Sequence, residues 1–224
     1  MAGRAGVREA VRTYKRRGSR VTPGQADARA RLWEAYGLTV ECEELDLSSL
    51  FGRQAPVVLE IGFGMGETTA AMAEAQPDHD LLAVDVHTPG IGALLRLIEQ
   101  RGLPNVRVAD GDAVTLLVEM LQPASLHEVR VFFPDPWPKR RHWKRRLVGE
   151  AFADFVAMRL VPGGVLHVAT DWEPYAEQVR RVLTDHPEFE LTDRVPWRPR
   201  TRFEETGLAA GRSSYDVVGT RVAS

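Results

Sequence analysis

The chain has 224 residues, of which 44% are hydrophobic and 27% charged, as expected of one globular domain with a sizeable core. A single cysteine, Cys42, excludes an internal disulfide framework and a zinc site built from several cysteines. We therefore expect a reducing, cytoplasmic environment and no metal centre. No apolar run approaches the roughly 20 residues of a membrane helix, and the first residues are polar and basic, so neither a membrane span nor a secretory signal is expected.

The distribution of charge is more informative than the formal net charge of −2. Residues 1–20 contain seven Lys or Arg against one acid, Glu9. A second basic run occupies residues 139–146, with six Lys or Arg and no acid. These runs predict basic patches able to contact phosphates, although a solvated tail is an equally simple interpretation of the first one. We expect a basic arm and short helix over residues 1–40 and one catalytic domain over residues 41–224.

Strands and helices are predicted to alternate along the chain. A short helix over 29–36 and a loop or turn over 46–56 come first. The apolar runs predict strands over 57–61, 81–84, 106–109, 129–133 and 165–169. Helices are predicted over 68–76, 91–100, 113–121, 149–160 and 173–183. The last two strands, 189–195 and 213–220, are joined without a clear helix. This order predicts a doubly wound α/β fold, with a mostly parallel, seven-stranded Rossmann-like sheet and an antiparallel edge strand.

A glycine-rich turn follows the first strand of this alternation. Ligands of open α/β sheets bind beyond the carboxyl ends of the strands, where Gly62, Gly64 and Gly66 let the backbone approach a ligand closely. The dinucleotide fingerprint requires its third glycine at position 67, which holds Glu67. A negative side chain there disfavours a pyrophosphate. It is compatible with S-adenosylmethionine, which carries no phosphate.

Acidic residues accompany successive strand ends. Asp85 lies at the right distance to accept hydrogen bonds from two ribose hydroxyls. Asp112 follows the third strand, where it can accept from an adenine amino group, and Glu60 lies close enough to the glycine turn to contact the methionine end. Any one of these acids can instead cap the helix that follows it. Their recurrence at successive strands favours a cofactor site.

The fourth strand of the alternation ends in an unusual segment. Pro134 and Pro136 flank Asp135 and restrict its backbone, with Trp137 and Lys139 close behind. A carboxylate held rigidly beside an aromatic ring and a cation predicts a base-recognition site. The alternative is a structural turn with the tryptophan packed into the core.

Taken together, these motifs resemble those of the bacterial tRNA (guanine-N7-)-methyltransferases over nearly the whole chain. The resemblance is carried by residues 16–25, 60–66, 85–90, 135–146, 170–175 and 201–204. Two departures are small: Asp85 stands where the family often has glutamate, and Arg202 where it commonly has lysine.

The resemblance implies a class I methyltransferase that transfers a methyl group from S-adenosyl-L-methionine to N7 of the variable-loop guanine of tRNA, position 46 in tRNA numbering. Asp135 is implied as the catalytic residue. The implied cofactor contacts are Glu60, Gly62, Gly64, Gly66, Asp85, Asp112 and Asp135. The implied substrate contacts are Lys139, Asp171, Thr201, Arg202, Phe203 and Glu204. The implied RNA contacts are Arg141, His142, Trp143, Lys144, Arg145 and Arg146. We leave two questions open: monomer or homodimer, and whether Trp137 and Trp172 stack on an extruded base or pack in the core.

Three other functions fit the sequence less well. A nicotinamide-dependent dehydrogenase is disfavoured by Glu67. A methyltransferase acting on a small molecule or a protein gives no reason for so much cationic sequence. A non-catalytic RNA-binding protein on a degenerate fold is disfavoured by the complete set of acids at strand ends.

Overall fold

The computed structural model describes residues 20–222. Eight strands form one sheet: β1 Gly37–Thr39, β2 Val57–Ile61, β3 Asp80–Asp85, β4 Val106–Asp110, β5 Leu126–Phe132, β6 Leu160–Thr170, β7 Phe189–Leu191 and β8 Tyr215–Arg221. The α-helices are α1 Pro23–Tyr36, α2 Leu47–Phe51, α3 Glu67–Ala75, α4 Thr88–Arg101, α5 Ala113–Thr115, α6 Glu150–Arg159, α7 Glu173–Asp185 and α8 Arg202–Ala209. A π-helix, Leu116–Met120, continues α5, and a 3₁₀ helix spans Arg140–Arg145.

The sheet order is β1-β4-β3-β2-β5-β6-β8-β7. Every neighbouring pair is parallel except the two that involve β8, which runs antiparallel to β6 and to β7. The predicted fold class is confirmed, with eight strands instead of seven. The added strand, β1, has only three residues and is too short for a periodic signal. The antiparallel strand lies one position inside the edge, and β7 forms the edge itself.

Helices cover both faces of the sheet, and each face has its own core. All five residues of β2 are buried, as befits a central parallel strand. On one face Leu59 and Ile61 pack with residues of α6 and α7. On the other face Val58 packs with residues of α3 and α4. Burial of each such aliphatic side chain contributes about 1.5–3 kcal/mol, so the two cores fix the strand ends in place.

Three helices differ from the prediction because capping residues extend or create them. Helix α1 begins at Pro23, not at residue 29, since Thr22 and Gln25 form a capping box. The predicted loop 46–56 contains α2, capped by the Asp46 side chain. The stretch predicted to lack a helix contains α8, which starts at a second capping box formed by Thr201 and Glu204.

Two further helices end at different residues than predicted. Helix α6 ends at Arg159, and β6 begins at once at Leu160, five residues before the predicted strand 165–169; its first residues form an irregular part of the strand. The predicted helix 113–121 is one α-helical turn followed by the π-helix.

The basic arm lies outside the described residues, apart from Arg20, which is exposed. The predicted boundary between a basic arm, residues 1–40, and the catalytic domain stays a prediction. Helix α1 packs on α4, where Arg31 bridges to Glu99 and the Gln25 backbone lies against Gly92. Across residues 20–222, no helix combines the length and apolar character that crossing a membrane requires.

Candidate active site

A cavity of about 380 Å³ opens at the carboxyl edge of the sheet, where β2, β3, β4 and β5 end. Many residues predicted from separate parts of the sequence line it together: Gly62, Gly64, Asp85, Asp112, Asp135, Arg145 and Phe203. Apolar side chains, among them Ile61, Val84 and Val131, complete the wall. A concave, mostly apolar pocket with a few converging charges is the usual form of a small-molecule site.

Part of the glycine turn lines this cavity: Gly62 and Gly64 are among the lining residues and Gly66 is not. Gly62, Gly64 and Gly66 have φ angles of 79°, 60° and 84°, a left-handed region that L side chains rarely adopt. A β-carbon at Gly66 would lie 2.8 Å from the Leu94 side chain, so this glycine also permits close packing on α4. At Gly62 and Gly64 a β-carbon would meet no atom within 4 Å. Their outer side is open to a ligand.

Asp85, at the end of β3, is held by the backbone around it. Its Oδ1 accepts hydrogen bonds from the amides of Val86 (2.7 Å) and His87 (3.0 Å), and its Oδ2 accepts one from Gly64 (3.2 Å). Burial raises the pKa of this carboxyl, and the three amide hydrogen bonds offset only part of the rise. The side chain is therefore fixed in orientation where it faces the cavity.

Asp112 caps a helix and also faces the cavity, so its predicted contact with a cofactor stays a prediction. Its Oδ1 accepts from the Thr115 amide at 2.8 Å, which caps α5, and the residue also lines the cavity. Glu60 differs, since it is 3% exposed and is not among the cavity-lining residues. Burial raises its pKa, with Arg130 opposing, and within residues 20–222 its Oε2 accepts no hydrogen bond.

The segment after β5 brings Asp135 and Trp137 to the same cavity. Asp135 is exposed. Trp137 has a φ of 43°, a strained value for a bulky residue. Its ring lies against His142, with centroids 5.7 Å apart, and under the Arg145 guanidinium at 5.0 Å. Trp137 is thus part of the cavity wall, whereas Trp172 packs against the larger core cluster.

Residues 139–146, called the first basic segment below, are divided by burial. Arg141, Lys144 and Arg145 are exposed, and Trp143 is 41% exposed. His142 is half-buried; burial and then the neighbouring cations lower its pKa. Lys139 precedes the 3₁₀ helix and is exposed, where it can reach a ligand.

Arg146 behaves differently from its neighbours, being only 4% exposed. Its Nε donates to the Pro136 carbonyl at 2.8 Å and its Nη1 to Gln178 Oε1 at 2.7 Å. Its guanidinium carbon lies 4.8 Å from the ring centroids of both Trp143 and Tyr175. Arg146 thus anchors the first basic segment to α7, and its predicted contact with RNA stays a prediction.

The predicted substrate residues near the C-terminus are also of two kinds. Thr201 and Glu204 are buried in the capping box of α8. Phe203 is 71% exposed and lines the cavity, and Arg202 is exposed beside it. Asp171 Oδ2 pairs with Arg212 Nε at 2.9 Å.

Glu204 is bound by groups that the sequence did not reveal. Its carboxylate accepts from Arg198 Nη1 at 2.5 Å and from Ser214 Oγ at 2.7 Å. Burial alone would raise its pKa, but these hydrogen bonds outweigh it and hold the pKa below its ordinary value. Arg198 also donates from Nε to Asp216 Oδ1 at 2.8 Å, and this oxygen lies 2.6 Å from His167 Nε2.

Arg198 is therefore a part of the site that sequence reasoning missed. Its guanidinium lies 5.5 Å from the ring of Phe132 and 5.6 Å from that of Phe133, two residues of the cavity wall. Four arginines occur within residues 194–202, and nothing in their local sequence distinguishes the buried one.

Comparison with known proteins bears on this site. Residues 54–217 match the family model Methyltransf_4, described as "Putative methyltransferase". A protein of Streptomyces avermitilis named tRNA (guanine-N(7)-)-methyltransferase is 57% identical over 95% of this chain and 76% of its own length. One of the same name from Thiobacillus denitrificans is 46% identical over 99% of this chain and its entire length. The chain belongs to the tRNA (guanine-N(7)-)-methyltransferase family.

Solved structures of other methyltransferases share the fold of this family member. The 16S rRNA methyltransferase KamB aligns with a TM-score of 0.56 over 79% of this chain and 92% of its own, at 18% identity. The aminoglycoside resistance methyltransferase NpmB1 aligns with a TM-score of 0.53 over 91% of this chain and 95% of its own, at 16% identity. At such identities the likeness concerns the fold alone.

Proposed function

We propose that this protein transfers the methyl group of S-adenosyl-L-methionine to N7 of a guanine in tRNA, and that the target is the variable-loop guanine at position 46. One observation carries the proposal: a single cavity joins the glycine turn and Asp85 to Asp135, Arg145 and Phe203, in a chain that belongs to this family. The cytoplasm, where a chain with one cysteine stays reduced, is the proposed location.

The cofactor end of the cavity fits S-adenosylmethionine. The open side of Gly62 and Gly64 leaves room for the methionine chain of the cofactor. The fixed Asp85 carboxylate presents acceptors for ribose hydroxyls. Asp112, which lines the cavity, is the proposed acceptor for the adenine amino group. Glu60, which directly precedes the cavity residue Ile61, is the proposed acceptor for the amino group of the methionine end; its Oε2 accepts no hydrogen bond among residues 20–222. When bound, the cofactor supplies an electrophilic methyl group on a sulfonium sulfur.

The chemistry asks little of the protein beyond position and charge. Guanine N7 carries a lone pair and no proton, so its attack on the methyl group requires no general base. Alignment of the two reactants can contribute up to roughly 7–11 kcal/mol to the lowering of the barrier. The methylated ring is cationic, and Asp135 at the cavity stabilises the charge as it develops.

The guanine is held by the walls next to Asp135. Trp137 and Phe203 present aromatic faces to the same cavity, and Lys139 and Arg202 bring cations close by. Asp171 is the proposed acceptor for the N1 and N2 hydrogens of guanine. Glu204 is buried and bound to Arg198, so its proposed role is to position Phe203.

The test is methyl transfer from labelled S-adenosylmethionine to an unmodified tRNA transcript, with the product mapped by borohydride–aniline cleavage at 7-methylguanine. We expect cleavage at one variable-loop guanine. Asp135→Asn should lower kcat/KM by about 100-fold or more, as loss of a charge-stabilising group does, a larger factor than any change in cofactor affinity measured by calorimetry. Full turnover in this variant would contradict the role of Asp135, and cofactor binding without labelled tRNA would refute the proposed substrate.

A further inference from the structure

The chain contains a second cationic stretch, of which the proposed function uses only the last residues, Arg202 and Phe203. Residues 194–203, called the second basic segment, read RVPWRPRTRF: four arginines, two aromatic residues and no acid. Interleaved arginines and aromatics are typical of surfaces that hold unpaired nucleic acid, because the cations contact phosphates and the rings stack on bases.

The topology places this segment at the cavity. Strand β8 begins at Tyr215, opposite Thr170 at the carboxyl end of β6. Strand β7 ends at Leu191, opposite Gly219 of β8, and runs towards the same edge. The connection between β7 and β8 therefore re-enters the sheet at the edge where the cavity opens. Phe203, at the end of the segment, is itself part of the cavity wall.

The side chains that could meet a partner are exposed. Trp197 is 59% and Phe203 is 71% exposed, and Arg194, Arg200 and Arg202 are exposed as well. Among residues 20–222, no carboxylate forms a salt bridge with any of these three arginines. An exposed tryptophan next to uncompensated cations marks an interaction surface.

The segment is held in shape by its buried members. Arg198 is fixed by Glu204 and Asp216, and Pro196 and Pro199 restrict the backbone on either side of it. The capping box of α8 fixes the C-terminal end of the segment. An ordered surface loses less conformational entropy on binding than a mobile one.

We propose that the second basic segment is a second tRNA-contacting surface, in which Arg194 and Arg200 contact phosphates and Trp197 stacks on an unpaired base. The surface extends the grip of the first basic segment, whose Arg145 lines the same cavity. This inference rests on the proposed function for the identity of the RNA. The rival partner, a second copy of this chain covering Trp197, is an outcome of the test.

The decisive experiment compares two charge-matched variants of the full chain. Arg194→Gln/Arg200→Gln removes two cations from the segment, and Arg96→Gln/Arg180→Gln removes two exposed arginines from α4 and α7. We expect the first variant to bind tRNA about tenfold more weakly at 0.15 M salt, with a salt slope shallower by about 1.4 to 1.8. The control should bind within about twofold of the wild type, and both should bind S-adenosylmethionine normally.

Trp197 provides a readout that does not depend on charge. Base stacking should quench its fluorescence when tRNA binds, so the quenching should be smaller in Trp197→Phe, which keeps an aromatic face and most of the affinity. Trp197→Ala should bind about tenfold more weakly, in the range measured for loss of one stacked base.

The outcomes separate this surface from the proposed function. If the double segment variant and its control bind tRNA equally, the surface is refuted while methyl transfer by the wild type still supports the function. If the wild type binds tRNA through the segment without methylating it, the function is refuted and the surface stands. If Trp197→Ala converts a dimer to a monomer in sedimentation and leaves tRNA affinity unchanged, the segment is a subunit interface and the proposal is overturned.

Discussion

The first and second basic segments are alike in sequence, and both reach the cavity, yet the arginine that each one buries is held differently. Arg146 donates to a carbonyl and an amide oxygen and lies between two aromatic rings. Arg198 binds two carboxylates and lies against two aromatic rings. In each segment one guanidinium fixes the backbone and leaves the other cations at the surface. A run of positive charge is therefore not a uniform solvated face.

The hydrogen-bond partners of Arg146 and Arg198 determine how much each arginine contributes to stability. Neutral acceptors left behind by a lost arginine suffer only the penalty of unmade hydrogen bonds. Buried carboxylates left behind keep an uncompensated charge, which costs considerably more. The two segments should thus respond unequally to equivalent substitutions.

The largest effect is expected for Arg198→Ala. Loss of the shared cation leaves Glu204 with Ser214 and Asp216 with His167 as remaining partners, so the free energy of unfolding should fall by about 3–5 kcal/mol, measured by urea denaturation. The KM for tRNA should rise more than kcat falls, since Phe203 and the second basic segment lose their support. Arg198→Lys keeps the charge without the planar fork and should recover only part of the stability. Wild-type stability in Arg198→Ala would mean that the pair is dispensable.

Arg146→Ala should lower the free energy of unfolding by a smaller amount, about 1–3 kcal/mol. The substitution leaves the Pro136 carbonyl and Gln178 without a donor and removes the group between Trp143 and Tyr175. The same urea titration measures it. A loss equal to that of Arg198→Ala would erase the distinction between neutral and charged partners.

The stability of the two anchors should also depend differently on pH. Although burial opposes it, contacts with His167 and Arg198 lower the pKa of Asp216 below its ordinary 3.8, and Glu204 is likewise held below 4.5. A lowered carboxyl pKa adds stability above its unfolded value and loses it as pH falls through the folded value. Unfolding should therefore become easier below about pH 4.5 in the wild type. Arg198→Ala should show a shallower dependence over that range and Arg146→Ala an unchanged one, as followed by thermal melts.

The smallest effect on stability, within about 0.5 kcal/mol, is expected for the exposed cations Arg141 and Lys144. Their double substitution by glutamine should act on RNA instead, with a salt slope for tRNA binding shallower by about 1.4 to 1.8. Filter binding across a salt series gives the slope. A stability loss comparable with that of Arg146→Ala would place these side chains among the anchors.

Long, buried elements were predictable from the sequence, and short ones were not. Strand β2 and the glycine turn after it carry a strong pattern, and Asp85, Asp112 and Asp135 follow strands, so their shared cavity could be anticipated. Strand β1 is too short for periodicity to register. Helix α8 did carry a sequence signal, the threonine and glutamate spacing of a capping box. The same two residues also belong to the predicted substrate segment, which hid the helix start.

Side-chain burial among similar residues was beyond the reach of sequence reasoning. Arg146 stands at the end of a run of cations, and only the position of α7 and Tyr175 removes it from solvent. Glu204 was recognised as a site residue, but its engagement by Arg198 depends on how the chain folds back between β7 and β8. Contacts of this kind arise from tertiary structure and leave no local pattern.

The connection from Leu191 to Tyr215 joins two adjacent antiparallel strands, a task that a few residues would accomplish. Its surplus length is inexpensive, because the entropy of closing a loop grows by only about 0.6 kcal/mol for each doubling of its size. The sheet therefore does not constrain what residues 192–214 contain, beyond the few that dock them. Substitutions within this one connection can therefore change substrate preference without altering the strands that hold the cofactor.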